Sequence, residues 1–307
     1  MPIDRVNYGD TRVYINNTIL KGVSDCSIET TREVENLRSI TRYETPDRIL
    51  KSNQVPKVTI SWILGEESTD PFFDFQNSGI LSVENFEIKK RDIAGVHVVN
   101  SGFLTSYSVN ASVGDLITAE AQYEGLGYSF ADSGKLTIRE QTADSYRSFL
   151  PSKISLSATF AEGDIFKFPI QSFSIDIPTP RTPLKRLGEM TAKYMIPTLP
   201  SEATVSFSAV KNDITGIDFS KIILEKGDFS FDIRSCRDFG KVYYLTECSL
   251  VGISETVNLD GNATIDFNYV SSVTQNFLTT TSSGPEFSVL GSEGWTVFGS
   301  DEEPVLS

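Results

Sequence analysis

The chain has 307 residues, 39% of them hydrophobic, with 41 acidic against 27 basic side chains and a formal net charge of −14. That length fits two domains, and that apolar fraction is enough for two cores with much surface left over. The charge disfavours affinity for nucleic acid or anionic lipid, no run of 18 apolar residues is present to span a bilayer, and a single histidine rules out a histidine-based metal cluster.

Residues 1–12 are polar and read as an irregular arm. Met1-Pro2-Ile3-Asp4-Arg5 lacks the apolar core of a signal peptide, so synthesis in a cytoplasm is the expectation. Val13-Tyr14-Ile15 and Thr18-Ile19-Leu20 form a hairpin pattern around Asn16-Asn17, and Asp25 to Thr31 alternates as a strand. Residues 32–57 break the pattern, with Pro46 and Pro56 inside them, and read as a long loop without an element of its own. Loops of that kind are mostly functional or disordered. This one runs against the overall charge, with six basic residues (Arg32, Arg38, Arg42, Arg48, Lys51, Lys57) and four acidic ones.

Lys57 to Leu64 is a predicted strand. Asp70-Pro71 resembles a helix cap with proline at the first helical position, and Phe72, Phe73 and Phe75 before Gly79 complete one short helix. Val83 to Lys90 and Val96 to Ser112 follow as strands. Gly114-Asp115 then supplies a tight turn, and a closing strand ends at Tyr123.

The same order returns. Ser108, Thr118 and Tyr123 match Ser254, Thr264 and Tyr269, each 146 positions on. Cys26-Ser27-Ile28-Glu29 matches Phe173-Ser174-Ile175-Asp176 at 147. Thr59-Ile60-Ser61-Trp62 matches Thr204-Val205-Ser206-Phe207, and Phe86-Glu87-Ile88-Lys89 matches Phe231-Asp232-Ile233-Arg234, both at 145. Four blocks in one order imply a copied domain. The expected division is a first copy over 1–130, a linker over 131–152 with one strand at Lys135 to Arg139, and a second copy over 153–270.

The second copy has its own long loop at 178–201, with Pro178, Pro180, Pro183, Pro197 and Pro200. Its basic residues are Arg181, Lys185, Arg186 and Lys193 against one acid, Glu189. Ile217, Phe219, Ile222 and Ile223 before Gly227 give the second short helix. Strands are expected over Ala203 to Val210, Asp228 to Cys236 and Val242 to Thr256, with a closing hairpin turning at Asp260-Gly261. From Ser271 to 307 Ser, Thr and Gly dominate, with five acidic residues and no Lys or Arg. That tail is expected to be flexible or ordered by a partner.

Catalytic chemistry is scarce. No nucleophile-elbow, phosphate-loop or zincin motif occurs. His97 lies in a strand-like run and reads as structural. Gly125-Leu126-Gly127 lacks the third glycine and the βαβ setting of a nucleotide fingerprint. Cys26, Cys236 and Cys248 have no metal spacing and read as buried thiols. Neither an enzymatic activity nor a cofactor is expected.

The order of elements, with Val113-Gly114-Asp115-Leu116-Ile117-Thr118 and Leu259-Asp260-Gly261-Asn262-Ala263-Thr264 at the closing hairpins and the long loop placed alike in both copies, resembles the tail tube domain of tailed bacteriophages. That fold is shared with baseplate hubs and with the tube of type VI secretion systems. The resemblance covers roughly residues 10–270. It implies a mainly β chain of two tandem tail-tube-like β-sandwich or half-barrel domains, each with one short helix and a long inter-ring loop. It also implies trimeric, pseudo-hexameric rings that stack into a hollow conduit for genome ejection in the virion. Tail tip or baseplate proteins and a tail terminator would be partners, with a tape measure protein in the lumen. DNA would pass without specific binding, and no small-molecule substrate or membrane span is implied.

Under that resemblance Arg32, Arg38, Arg42, Arg48, Lys185, Arg186 and Lys193 are candidate inter-ring contacts. Glu120 and Asp266, matched at 146, are candidate lumen residues. A baseplate hub or tail terminator of the same fold is the alternative, as is a tandem β-sandwich receptor-binding or decoration protein.

Overall fold

The computed structural model describes residues 12–16, 18–31, 34–36, 48–50, 55–65, 86–91, 95–131, 148–149, 154–160, 165–187, 189, 191–198, 201–211, 226–234, 240–257 and 263–273. Its strands are β1 (Arg12–Ile15), β2 (Thr18–Ile19), β3 (Val23–Thr31), β4 (Val34–Asn36), β5 (Arg48–Leu50), β6 (Val55–Ile63), β7 (Phe86–Arg91), β8 (Val96–Ser112) and β9 (Thr118–Ala131), then β10 (Ile154–Phe160), β11 (Ile165–Phe168), β12 (Ile170–Pro178), β13 (Arg181–Leu184), β14 (Tyr194–Pro197), β15 (Ser201–Val210), β16 (Gly227–Arg234), β17 (Gly240–Val257) and β18 (Ala263–Val273). The chain is mainly β, as its alternating patterns predict. Among the described residues no helix is long and apolar enough to cross a membrane.

One antiparallel layer runs β3-β6-β9-β8-β12-β15-β18-β17. Period-two alternation gives it one apolar face. Val58, Ile60 and Trp62 of β6, Ala121 and Tyr123 of β9, Val109 of β8, Ile175 of β12, Phe207 of β15 and Phe267 of β18 are all buried on it. The second layer is formed by β2-β1-β7 against the N-terminal half of β8 and β11-β10-β16 against the N-terminal half of β17.

Aromatic rings fill the gap. Phe229 and Phe231 of β16 reach the rings of Phe207, Phe173 and Tyr269, with centroids 4.5–6.5 Å apart. Each large side chain buried this way contributes about 1.5–3 kcal/mol. The Tyr107 and Tyr243 hydroxyls lie 3.0 Å apart and satisfy one another inside the core.

The long strands β8 and β17 pass from one layer to the other by bending at bulges. Ser101 and Glu247 adopt left-handed φ values of 54° and 51°. Thr105 is extra between Leu104 and Ser106, and Val251 between Leu250 and Gly252. An unpaired extra residue tightens the local twist and turns the strand. Both bulge positions recur 146 residues apart.

Strand order recurs as well. β3-β6-β9-β8 is followed by β12-β15-β18-β17, and β2-β1-β7 by β11-β10-β16. Pairing corrects two sequence offsets. Val58 faces Tyr123 as Val205 faces Tyr269, so β6 corresponds to β15 at 147, not 145. Ile88 faces Val99 as Phe229 faces Leu245, so β7 corresponds to β16 at 141, not 145. The errors are two and four residues. Even slips keep every side chain on its face, so the hydrophobic pattern alone does not expose them.

The long loops are not without structure, as expected from their prolines. β4 pairs β5 with Val34 opposite Leu50, and β13 pairs β14 with Arg181 opposite Pro197. Both partners shift by 147, so the two hairpins share one register. Edge hairpins tolerate proline where its missing N–H points away from the partner. The tail boundary also moves. Ser271 to Val273 are the end of β18, paired with β15 as far as Ser201.

Within the expected linker, Ser148 bridges Gly65, Phe149 N donates to Leu64 O at 3.0 Å, and Phe149 is buried in the core. The two short helices, the Lys135–Arg139 strand, the Asp260-Gly261 turn and residues 274–307 lie outside the described residues.

Candidate functional site

The polar face of the eight-strand layer gathers hydroxyls, amides and acids. The residues alternating with the core are Ser27 and Glu29 on β3, Thr59 and Ser61 on β6, Thr118, Glu120 and Gln122 on β9, and Ser108, Asn110 and Ser112 on β8. The same face continues through Ser174 and Asp176 on β12, Thr204 and Ser206 on β15, Asp266 and Asn268 on β18, and Ser254 on β17. Among its described residues the charged side chains are Asp25, Glu29, Glu120, Glu124, Asp176, Glu202 and Asp266 against a single Lys57. Around the β8–β12 contact this face is concave. Asn110, Ser112, Thr118, Ser174, Ser208 and Asp266 line a groove of about 600 Å³.

Both lumen candidates stand on this face, in like settings. Glu120 is flanked across the strands by Ser61 and Ser108, and Asp266 by Ser208 and Ser254. Glu120 accepts from Ser61 Oγ at 3.3 Å and from Gln122 Nε2 at 3.1 Å, and Asp266 accepts from Ser254 Oγ at 3.5 Å. Asp176 lies beyond Ser108 from Glu120. Burial raises its carboxyl above the ordinary value, the Glu120 charge raises it further, and the Ile177 amide opposes both.

The second feature is a pair of open sheet edges. Among the described residues β3 pairs only with β6, and the C-terminal part of β17 only with β18. Ile253 and Val257 on the β17 edge are 42% and 69% exposed. Their counterparts at 146, Tyr107 and Ala111 on β8, are buried because β12 covers them. On the β3 edge the outward N–H of Cys26 donates to Asp25 Oδ1 at 2.8 Å, and its carbonyl accepts from Lys90 Nζ at 2.7 Å. Side chains there do what a neighbouring strand does elsewhere, which is how edge strands are blunted.

The third feature is the β13–β14 hairpin. Arg181 anchors its base, donating from Nε to Leu104 O at 2.9 Å and lying over the Phe103 ring. Burial lowers its pKa to about 10. Lys185, Arg186 and Lys193 are exposed around the turn, with Leu187 fully in solvent. Of the remaining inter-ring candidates, Arg48 is on β5, while Arg32, Arg38 and Arg42 lie outside the described residues.

The sequence-level residues thus fall in two places, the acids on the polar face and the described bases near hairpins. The open edges carry no motif in the sequence. They become visible only when Tyr107 and Ile253, alike in sequence position, differ in burial. His97 hydrogen-bonds through Nδ1 to the Tyr128 hydroxyl at 2.8 Å and packs against Phe130, a structural setting. Among the described residues no three His, Cys, Asp or Glu side chains converge as a metal site. No protein-family model matches the chain, and no curated protein matches it.

Proposed function

We propose that this chain is a duplicated tail tube subunit of a bacteriophage, a structural rather than catalytic protein that closes as a trimer into pseudo-hexameric rings and stacks into a conduit for DNA in the virion. One observation carries the proposal. The contact between β8 and β12 inside the chain has open counterparts at both ends of the same layer, because β17 corresponds to β8 and β3 to β12. Repeating that contact between copies continues the sheet head to tail. A head-to-tail contact with a rotation closes a ring and removes the edges.

Three copies supply 24 strands. A closed barrel of that number has a backbone diameter of about 40–50 Å, wide enough for a nucleic-acid duplex once side chains are subtracted. The concave polar face would line the bore. Carboxylates and hydroxyls with a single lysine repel phosphates rather than hold them, which suits rapid passage. The exposed β13–β14 turn, and with it the β4–β5 hairpin, would reach the next ring, and the terminator, tape measure and tail tip would be further partners.

Electron microscopy of the purified chain tests this. Hollow tubes of stacked rings are the expected result. Rings that never stack would favour a hub or terminator, and a persistent monomer with carbohydrate affinity would favour a receptor-binding protein.

A further inference from the structure

The two open edges do not repeat the chemistry of the internal β8–β12 contact to which their strands correspond. Inside the chain, Val109 of β8 lies opposite Ile175 of β12, both fully buried. Phe173, the next core-facing residue of β12, packs on Phe231 of β16 with ring centroids 5.1 Å apart. All of this is apolar.

At the open edges two of the corresponding residues are charged. Val109 corresponds to Glu255 at 146. Phe173 corresponds to Cys26 at 147. Phe231 corresponds to Lys90, because Lys90 faces His97 as Phe231 faces Tyr243, and 97 and 243 are themselves 146 apart. The Cys26–Lys90 contact is indeed present, through the carbonyl. An acid on one edge and a base on the other therefore replace an apolar valine and phenylalanine, both on the interlayer side of the sheet.

We propose that the β17 edge takes the β3 edge of a second copy of this chain in the register of the internal β8–β12 contact, with Ile28 of the partner subunit opposite Glu255, and that Glu255 there pairs with Lys90 of the partner subunit. This rests on the tube reading. In the separate chain both groups are held elsewhere: Glu255 is ion-paired to Lys211, and Lys90 caps the Cys26 carbonyl. Joining exchanges these partners. In the separate chain Lys90 of β7 occupies a carbonyl of the β3 edge and an ion pair stands on the β17 edge, which disfavours pairing with an unrelated strand. Together the two charges neutralise each other, so attraction and rejection of wrong partners come from the same residues.

The register fixes a second contact. Ser27 of one copy falls opposite Thr256 of the next, as Ser174 lies opposite Asn110 inside the chain. By alternation this is a non-hydrogen-bonded pair with Cα atoms about 4.5 Å apart, within reach of a disulfide.

The test uses the full chain. Glu255→Lys and Lys90→Glu are expected each to raise the concentration needed for tube assembly by about tenfold or more, since removing one partner of a buried pair leaves the other uncompensated. The double exchange is expected to restore assembly. Glu255→Val with Lys90→Phe restores the residue types of the internal positions Val109 and Phe231 and is expected to assemble with little dependence on salt. Melting of each unassembled variant checks its fold.

Single variants that assemble like the wild type, or a double exchange that fails to recover while the Val/Phe pair assembles, would overturn the Glu255–Lys90 pairing and leave the ring intact. S27C with T256C should cross-link neighbouring chains under oxidation, and N110C with S174C should cross-link within one chain. Tubes that form without the intermolecular link would overturn the register. No tubes and no link would overturn the ring reading itself.

Discussion

Gly125 marks where two strands come too close for any side chain. A Cβ there would lie 2.4 Å from Val99 Cγ1 and 2.9 Å from Pro56 Cγ, whereas at Gly127 the nearest atom is 3.8 Å away. Gly125→Ala is expected to cost about 1–3 kcal/mol in denaturant unfolding, and Gly127→Ala no more than about 0.5 kcal/mol. A pair that mimics half a nucleotide fingerprint is a packing feature at one position and a neutral one at the other. Cys26 and Cys248 are governed by burial in the same way, while Cys236 lies outside the described residues. Burial pushes the Cys26 thiol up to about 11 and the Cys248 thiol up to about 12. The folded state therefore keeps these protons at pH values where the unfolded state releases them. Their contribution to stability is complete below about pH 9 and is lost as pH climbs toward 11–12. Urea midpoints should fall between pH 8 and 10.5, and alkylation of Cys26 and Cys248 at pH 8 should be about 100-fold slower in the native chain than in the unfolded chain.

Bulges and edges belong to the element scale. Glu247 holds a left-handed conformation, and its N–H donates to Asp228 Oδ1 at 2.8 Å. The donor is the backbone N–H, so glycine preserves this bond and removes a strain of about 1 kcal/mol, giving up only the exposed 3.4 Å contact of the side chain with Lys226 Nζ. Glu247→Gly should raise the unfolding free energy by that amount, and Glu247→Val should lower it. The acidic row across β9, β8 and β12 gives a pH-dependent counterpart. Because Asp176 has a raised pKa, from burial first and Glu120 second, its contribution is favourable when protonated and is lost as pH rises through its folded value. Asp176→Asn should raise the thermal midpoint at pH 7 and make no difference near pH 3, where the aspartate is already neutral. At this scale the sequence was most legible. The span Val96–Ser112 is predicted to the residue, because a long alternating run ended by Gly114 in a left-handed turn has few other solutions. The hairpins inside the long loops were not legible. Two-stranded ribbons of three or four residues with prolines lack the alternation that marks a strand, and their pairing is held by contacts such as Arg181 to Leu104 O, 77 residues away.

At the scale of the whole molecule the proposed tube reading gives the cationic β13–β14 turn and the acidic polar face separate tasks, stacking for the first and the bore for the second. Deleting Arg38 to Lys51 is expected to leave single rings intact and to abolish long tubes, as seen by electron microscopy and sedimentation. Full-length tubes from the truncated chain would remove the inter-ring role of that arm. The analogous change at Lys185 and Arg186 to glutamate should act on stacking without moving the melting temperature, since both side chains are exposed.

Some of this was settled by residue order alone. Alternation fixed the β class, the Gly114 turn fixed one hairpin, and matched blocks paired Glu120 with Asp266 before either had a location. Registers were decided only by tertiary structure, because an even slip along a strand leaves every side chain on the same face. The edges were decided there too. Ile253 and Glu255 stand in the sequence as Tyr107 and Val109 do, and only β12, which lies beside one pair and among the described residues is not matched beside the other, separates a buried core from an exposed edge.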